Sequence, residues 1–161
     1  MKKVTEKAIA NVLAHTIKTH MPEGVFEIEL KGQTYFMLTD SYRIIRLLSD
    51  VPALPHVENT LQTNNIDRMF DRLAKRTEVL NLPTVKELKA WIKEKHIRRN
   101  HPGKTVFHID NFTYVNPFFL LDMIEGLPGC VAYRPENAKT PIYFHAESGD
   151  GILCPVMYIP D

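Results

Sequence analysis

The sequence predicts an α+β domain assembled from two similar halves. Each end of the chain contains one amphipathic helix followed by about three short strands, and turn residues separate those strands. Apolar and acidic residues alternate with a period of two over 25–30, VFEIEL, as they do in a strand with one solvated face. The halves share a layout with few identical residues. Two such half-sheets can join with both helices on one face.

The first half, residues 1–60, begins with a predicted helix over 4–19. Val4, Ala8 and Val12 recur at helical spacing along one stripe of this segment. Thr5 is the expected N-cap residue of the helix. Three strands follow, and they are expected over 25–30, 33–40 and 42–48. A proline-containing connection is expected over 49–63.

The middle of the chain, 61–103, is predicted to be an inserted pair of basic helices over 65–76 and 84–96. Thr84 and Glu87 have the spacing of a capping box at the start of the second helix. Residues 61–104 carry eleven Lys or Arg against five acids, whereas the formal charge of the whole chain is only +1. The positive charge is therefore concentrated in this insert.

The second half, residues 104–161, repeats the layout of the first. A helix is expected over 113–127, with Asn116 as its N-cap, Pro117 at the first helical position, and Gly126 or Gly129 ending it. The strands of this half are predicted over 104–110, 130–134, 141–147 and 152–159. Together the three segments predict a single domain over 1–161.

Composition excludes several classes of protein. The chain has 161 residues, of which 44% are hydrophobic and 24% charged, as in ordinary globular domains. It contains no apolar run near the ~20 residues of a membrane helix and starts without the apolar segment of a secretory signal. A cytoplasmic protein without a membrane partner is expected. Its two cysteines, Cys130 and Cys154, are expected to be reduced thiols.

Catalytic and cofactor motifs are missing from the sequence. It has no phosphate-binding glycine loop, no H-E-x-x-H and no C-x-x-C, and its seven histidines lack metal-ligand spacing. Neither cysteine sits in a nucleophile motif, and both are typical of small buried side chains. The sequence therefore predicts a protein that is not an enzyme, with no catalytic residue, metal or cofactor.

The basic insert is the candidate DNA-binding surface. Its cations recur at helical spacing on each of the two predicted helices and continue into the following loop, so they could follow a phosphate backbone without reading bases. A solvated helix face is the alternative interpretation. The ten candidate residues are Arg68, Arg72, Lys75, Arg76, Lys86, Lys89, Lys93, Lys95, Arg98 and Arg99.

Two segments resemble the bacterial sliding clamp, the beta subunit of the replicative DNA polymerase. Phe36 to Ile44, FMLTDSYRI, is similar to the clamp's strand-turn-strand element T-D-G-[YH]-R-L, with Ser41 in place of the glycine. Asp40 and Ser41 would form the hairpin corner, with Arg43 directed back across the turn. Between Tyr114 and Met157, NPFFLLDMI, TPIYF and GDGILCPVM resemble N-x-x-Y-L-L-D-x-L, S-P-L-x-I and the closing D-G-x-x-x-x-M-P-V-R strand.

This resemblance implies a DNA-clamp-like fold of two helix-plus-three/four-strand half-units with a pseudo-two-fold arrangement. It implies a non-enzymatic role in DNA replication or repair, in a protein of phage or mobile-element type, with duplex DNA, a replication protein or both as partners. A full clamp strings three such domains per chain and closes as a dimer. This chain has room for one domain, so a matching ring would be a homo-oligomer of six copies.

The family also docks partner peptides near its last strand. The matching positions here are Cys154, Pro155, Val156 and Met157. In the family a Met precedes the Pro and a basic residue follows the Val, and here Cys154 and Met157 occupy those places. Three interpretations stand: a working peptide pocket, an altered pocket, or ordinary core packing. The alternative function is accordingly a protein-interaction adaptor that retains the clamp fold without binding DNA.

Overall fold

A computed structural model gives the fold of residues 3–61, 64–99 and 105–157, with backbone only at 17 and 18. The helices in these ranges are α1 (Lys3–Thr19), α2 (Asn64–Leu73), α3 (Val85–Glu94) and α4 (Pro117–Gly126). The strands are β1 (Phe26–Leu30), β2 (Gln33–Thr39), β3 (Arg43–Leu47), β4 (Val79–Leu80), β5 (Phe107–His108), β6 (Tyr114–Val115), β7 (Val131–Tyr133), β8 (Ile142–Ala146) and β9 (Gly149–Leu153). None of these helices is long and apolar enough to cross a bilayer. The α+β class is confirmed.

Seven strands form one antiparallel sheet in the order β1-β2-β3-β9-β8-β7-β4. The last strands of the two halves, β3 and β9, pair at its centre, where Arg43 lies opposite Leu153 and Leu47 lies opposite Gly149. Moving outward from this seam, each half contributes its strands in reverse chain order. The two half-sheets therefore join into one sheet. β5 and β6 form a separate two-stranded hairpin.

One face of the sheet is covered by a layer of three helices. α1 and α4 pack against each other, and α3 packs on α4. Ile9 of α1, Leu120 of α4 and Leu88 of α3 are fully buried in one hydrophobic cluster, together with Ile45 and Phe144 from the sheet. This cluster is the main core, and burying it is the largest favourable term in folding. Both predicted half-unit helices thus lie on one face.

α2 covers the opposite face. Its Phe70 and Leu73 pack with Tyr143 of β8 and Ile152 of β9 in a second cluster. Both basic helices expected between the two halves are present, but they do not pack as a pair, because each helix buries its apolar stripe on a different face of the sheet. Between α2 and α3 in the sequence, β4 pairs with β7 and forms an edge strand that the sequence did not predict.

The capping signals are confirmed for two helices and wrong for one. The Thr84 hydroxyl accepts a hydrogen bond from the Glu87 amide at 3.1 Å, and α3 begins at the next residue. The Asn116 side chain accepts from two amides at the start of α4, where Pro117 is the first helical residue. Thr5, the expected cap of α1, instead lies inside a helix that already includes Lys3, and it is buried.

The expected strands 104–110 and 152–159 differ from the observed ones. β5 contains only two residues, because Asp110 turns the chain by accepting hydrogen bonds from the amides of Phe112 and Thr113. β9 starts earlier than predicted, at Gly149, and ends at Leu153. The glycine-containing residues 149–151 therefore belong to the strand, because their glycines allow close pairing with β3. Residues 104, 158 and 159 of the expected strands lie outside the described ranges.

Gly149 lies at the central seam, where the backbones of β3 and β9 approach each other closely. Its φ is +154°, and a Cβ there would collide with the backbone carbonyl oxygen of Arg46. We expect Gly149→Ala to lower the free energy of unfolding by about 3 kcal/mol or more, because a β3–β9 backbone contact must open. Urea unfolding followed by circular dichroism measures the loss.

Gly32→Ala is the matched control for that substitution. Gly32 also has a positive φ, +80°, but a Cβ at this position would meet no atom within 4 Å. This variant should lose only about 1 kcal/mol of unfolding free energy, which is the cost of placing a side chain on a left-handed backbone. Equal losses for the two variants would contradict the packing argument.

Candidate nucleic-acid interface

The T-D-S-Y-R corner between β2 and β3 forms the turn that the sequence predicts. The Asp40 carboxylate accepts hydrogen bonds from the amides of Tyr42 and Arg43 at 3.0 and 2.9 Å. Ser41 has a φ of +77°, the conformation that glycine adopts most easily. The Arg43 side chain returns across the turn, and its Nε donates to Asp40 at 2.9 Å.

Arg43 continues from this corner into a buried ion-pair network. Its Nη1 donates to Asp122 of α4 at 2.7 Å, and its guanidinium lies 4.1 Å from the centre of the Phe119 ring. Arg43 and Asp122 are each 1% exposed. Asp122 also accepts a hydrogen bond from Asn11 of α1 at 3.0 Å. The network therefore joins the corner to α1 and α4, two of the three helices of the layer.

Arg99 belongs to the same network, although its sequence position suggests a DNA contact. Its two terminal nitrogens donate to both Asp122 oxygens, at 2.6 and 3.0 Å. This bidentate pair fastens the segment after α3 to α4. Arg99 is thus engaged within the chain, while about a third of its side chain stays exposed.

Sequence reasoning overlooked the role of Asp122. The available signal was a lone acid within the otherwise apolar run of α4, PFFLLDMI. A carboxylate on a buried helix face requires a positive partner, because an unpaired buried charge is very costly. That argument predicts a partner without identifying it. Arg43 lies 79 residues away in the sequence and Arg99 lies 23 residues away.

The remaining cations of α3 and its following turn are exposed. Lys86, Lys89, Lys93, Lys95 and Arg98 all reach solvent, and only Lys89 has an acidic neighbour among the described residues, Glu125 at 3.9 Å. Residues 85–99 carry six Lys or Arg against two acids. This surface, which we name the α3 cationic surface, is therefore a net positive patch on the three-helix layer.

The cations of α2 and of the residues that follow it, 74–76, are closer to electrical balance. For brevity we call them the α2 cations. Arg68, Arg72 and Lys75 are exposed, but Asp67 and Asp71 alternate with them along the helix. Arg76 is half-buried and binds Glu136 through two hydrogen bonds, at 3.1 and 2.8 Å. This pairing lowers the pKa of the Glu136 carboxyl. The ten candidate DNA-binding residues are thus divided between opposite faces of the sheet.

The predicted peptide-pocket segment lies beside the T-D-S-Y-R corner. The Cys154 amide donates to the Tyr42 carbonyl at 2.8 Å, and the Val156 amide donates to the Tyr114 carbonyl at 2.7 Å. Cys154, Pro155 and Val156 are half-buried, whereas Met157 is 61% exposed. Tyr42, 51% exposed, packs with the rings of His15 and Phe119. An aromatic surface therefore adjoins this segment.

The two thiols are poorly suited to nucleophilic chemistry. Burial raises the pKa of Cys130 to about 11 and also raises the pKa of Cys154. Both are therefore protonated at neutral pH, and the thiolate is the reactive form. Among the residues that the structure describes, no group of three or more histidine, cysteine, aspartate or glutamate side chains is arranged to hold a metal ion.

Comparisons with protein-family models, with curated proteins and with solved structures found no match to this chain. The likeness to the sliding clamp consequently rests on residues 36–44 and 114–157 alone. In the structure these two segments meet, because Arg43 binds Asp122 and Tyr42 binds Cys154.

Asp122→Asn tests the buried network. The substitution keeps the side-chain shape but leaves Arg43 and Arg99 facing a neutral amide. We expect the free energy of unfolding to fall by about 2–3 kcal/mol, because the buried Arg43 keeps Asp40 but loses the second of its two carboxylate partners. Arg99→Gln should cost no more than about 1 kcal/mol, since that pair is partly exposed. If urea denaturation shows the same small loss of unfolding free energy in both variants, this ranking is wrong.

Proposed function

We propose that this chain is a non-enzymatic, clamp-like protein of DNA replication or repair that binds duplex DNA without sequence specificity. The proposal takes the α3 cationic surface as the binding face. The single observation that carries it is the run of exposed cations over 85–99, which has little acidic compensation. The resemblance to the sliding clamp supplies the biological context.

The spacing of the cations suits a phosphate backbone. Lys86, Lys89 and Lys93 are three and four residues apart on a regular helix, so they share one face. Lys95 and Arg98 extend the positive charge beyond the end of that helix. Flexible lysines deliver point charges without a base-reading geometry, which favours binding through phosphates over sequence recognition.

The rigid attachment of α3 supports the same proposal. Leu88 is fully buried against the core, and the Arg99–Asp122 pair fixes the segment after the helix. The cations therefore project from a supported element, and less conformational entropy is lost on binding than from a flexible tail. We assign Arg99 the role of positioning this surface.

Salt-dependent DNA binding tests the proposal. We expect a labelled duplex of about 20 base pairs to bind at low salt, with an affinity that falls steeply as salt rises. Replacing Lys86, Lys93 and Arg98 together by glutamine should weaken binding at least about tenfold. It should also reduce the slope of log K against log salt by about 0.9 for each phosphate that is no longer neutralised. Fluorescence anisotropy measures both quantities.

The α2 cations provide the matched control. Replacing Arg68, Arg72 and Lys75 by glutamine removes the same charge from the opposite face of the sheet. This variant should bind DNA nearly as well as the unchanged protein. Equal weakening by both triple variants would indicate a general charge effect and contradict the assigned surface. Undetectable binding at about 50 mM salt would overturn DNA binding altogether.

A protein-interaction adaptor without DNA binding is the second candidate function. The exposure of Tyr42 and Met157 beside Cys154 favours it, because exposed aromatic and methionine side chains are enriched at protein interfaces. The occupant would be a short segment of a replication protein. This hypothesis does not require the α3 cationic surface.

Titration with a synthetic clamp-binding peptide, followed by calorimetry, distinguishes the adaptor. Tyr42→Ala should weaken peptide binding at least about tenfold, because it removes the exposed aromatic ring of the surface. Val131→Ala, at another exposed apolar position, should leave the affinity unchanged. Peptide binding without DNA binding would establish the adaptor role. Absence of peptide binding would rule that role out.

A further inference from the structure

The outer edge of β1 is one of the two edges of the seven-stranded sheet, and it is only partly paired. β1 contains five residues, whereas β4, at the opposite edge, contains two. Along a strand of an antiparallel pair, alternate residues direct their backbone N–H and C=O groups toward the neighbouring strand and away from it. Val25, just before β1, forms its backbone hydrogen bonds on the side away from β2. Glu27 and Glu29 therefore also direct their backbone groups outward.

Only the first of these outward positions, Val25, is paired. Its amide donates to the carbonyl oxygen of Pro55 at 2.8 Å, and its carbonyl oxygen accepts from the amide of Val57 at 2.9 Å. The chain then diverges from β1 and leaves a cleft of about 300 Å³ beside Glu27. Among the described residues, none forms a hydrogen bond with the outward backbone groups of Glu27 or Glu29. Two successive outward positions can therefore pair with another strand.

The side chains along this edge are acidic and uncompensated. Glu27 and Glu29 are exposed, and they lie on the same face of β1 because they are two residues apart. Glu58 lines the same cleft as Glu27. Within the described ranges none of the three forms an ion pair, and the cation that follows β1, Lys31, contacts Asp71 instead, at 3.5 Å. A strand that pairs with this edge therefore meets negative charge.

A second copy of β1 is a poor occupant of the edge. Antiparallel pairing that uses both outward positions of each copy would place Glu27 opposite Glu29 twice. Like charges directly opposite each other in a sheet are destabilising, and charged side chains are a common protection of edge strands against self-association. The same two glutamates would stabilise a strand that carries lysine or arginine at the facing positions.

We propose that the outer edge of β1 binds an extended basic segment of a partner protein, in which lysine or arginine alternates with an apolar residue. Two basic side chains would lie opposite Glu27 and Glu29, and the backbone of the segment would pair with the outward N–H and C=O groups. The apolar residue between them would point to the other face of the sheet, beside Ile28 and the cluster that contains Leu61. The edge shares no residue with the α3 cationic surface or with the segment 154–157, so this proposal does not rest on the proposed function.

Titration of the full chain with a lysine–valine peptide tests the proposal. The probe is a fluorescently labelled, C-terminally amidated peptide of sequence SKVKVKS, and its control is the charge-reversed SEVEVES. We expect saturable binding of the lysine peptide, measured by fluorescence anisotropy, and no binding of the glutamate peptide. Absence of saturable lysine-peptide binding would overturn the proposal.

Two N-methylated versions of the lysine peptide separate strand pairing from charge attraction. One is methylated on its lysine amides and the other on its valine amides, and both keep the same charge. Alternate residues of a strand direct their amides to opposite sides, so only one version should lose affinity, by about tenfold. Equal affinities of the two versions would show attraction without strand pairing and contradict the proposal.

Glu27→Gln combined with Glu29→Gln tests the charge pairing. This double variant should weaken peptide binding at least about threefold, because both opposite-charge pairs are lost. Glu78→Gln combined with Glu94→Gln is the matched control, since it removes two exposed acids away from this edge, and it should bind like the unchanged protein. Thermal unfolding checks that both variants are folded.

Equal weakening by the two double variants would indicate a general charge effect and overturn the assignment. Light scattering covers the other occupant of the edge. A dimer that the lysine peptide leaves intact, and that Glu27→Gln with Glu29→Gln strengthens, would assign the edge to a second copy of the chain and equally overturn the proposal.

Discussion

The buried contact between Arg43 and Asp122 is the interaction on which the rest of the structure depends. It places a cation and an anion, each 1% exposed, between the corner of the sheet and the helix layer. Asp40, Asn11 and Arg99 complete the hydrogen bonding around the pair. A buried charge pair is tolerated only when its remaining donors and acceptors are satisfied. The positions of α1, α4 and the end of α3 are therefore mutually constrained.

The second constraint is that both faces of the central sheet are apolar. Ile45 and Phe144 lie on one face, and Tyr143 and Ile152 lie on the other. Each face needs a cover, since exposed apolar area of that size is unfavourable. The helix layer covers the first and α2 covers the second. Consequently the basic residues, continuous in sequence, form two separate surfaces, and this separation makes the α2 cations a control for the α3 cations.

Local signals predicted much of the fold and less of the candidate sites. The caps at Thr84 and Asn116 depend on side-chain contacts within three residues, and both were predictable for that reason. The start of β9 was not predictable, because a glycine at position 149 is typical of a turn. Only its pairing with Leu47 of β3 shows that it belongs to a strand. Sequence position likewise grouped Arg99 with the DNA-binding cations, whereas its bond to Asp122 depends on how α3 docks against α4. Spacing arguments describe residues on one element and do not describe residues brought together by packing.

The sequence by itself determined the α+β class, the repeated order of helix and strands, the caps at Thr84 and Asn116, and the concentration of positive charge. All of these follow from residues close together in the chain, where propensity and hydrogen-bonding chemistry act directly. Only the tertiary structure decided which face each basic helix covers and which charges are neutralised within the chain. Those outcomes depend on long-range burial, since an apolar stripe specifies that a helix must be covered without specifying by what.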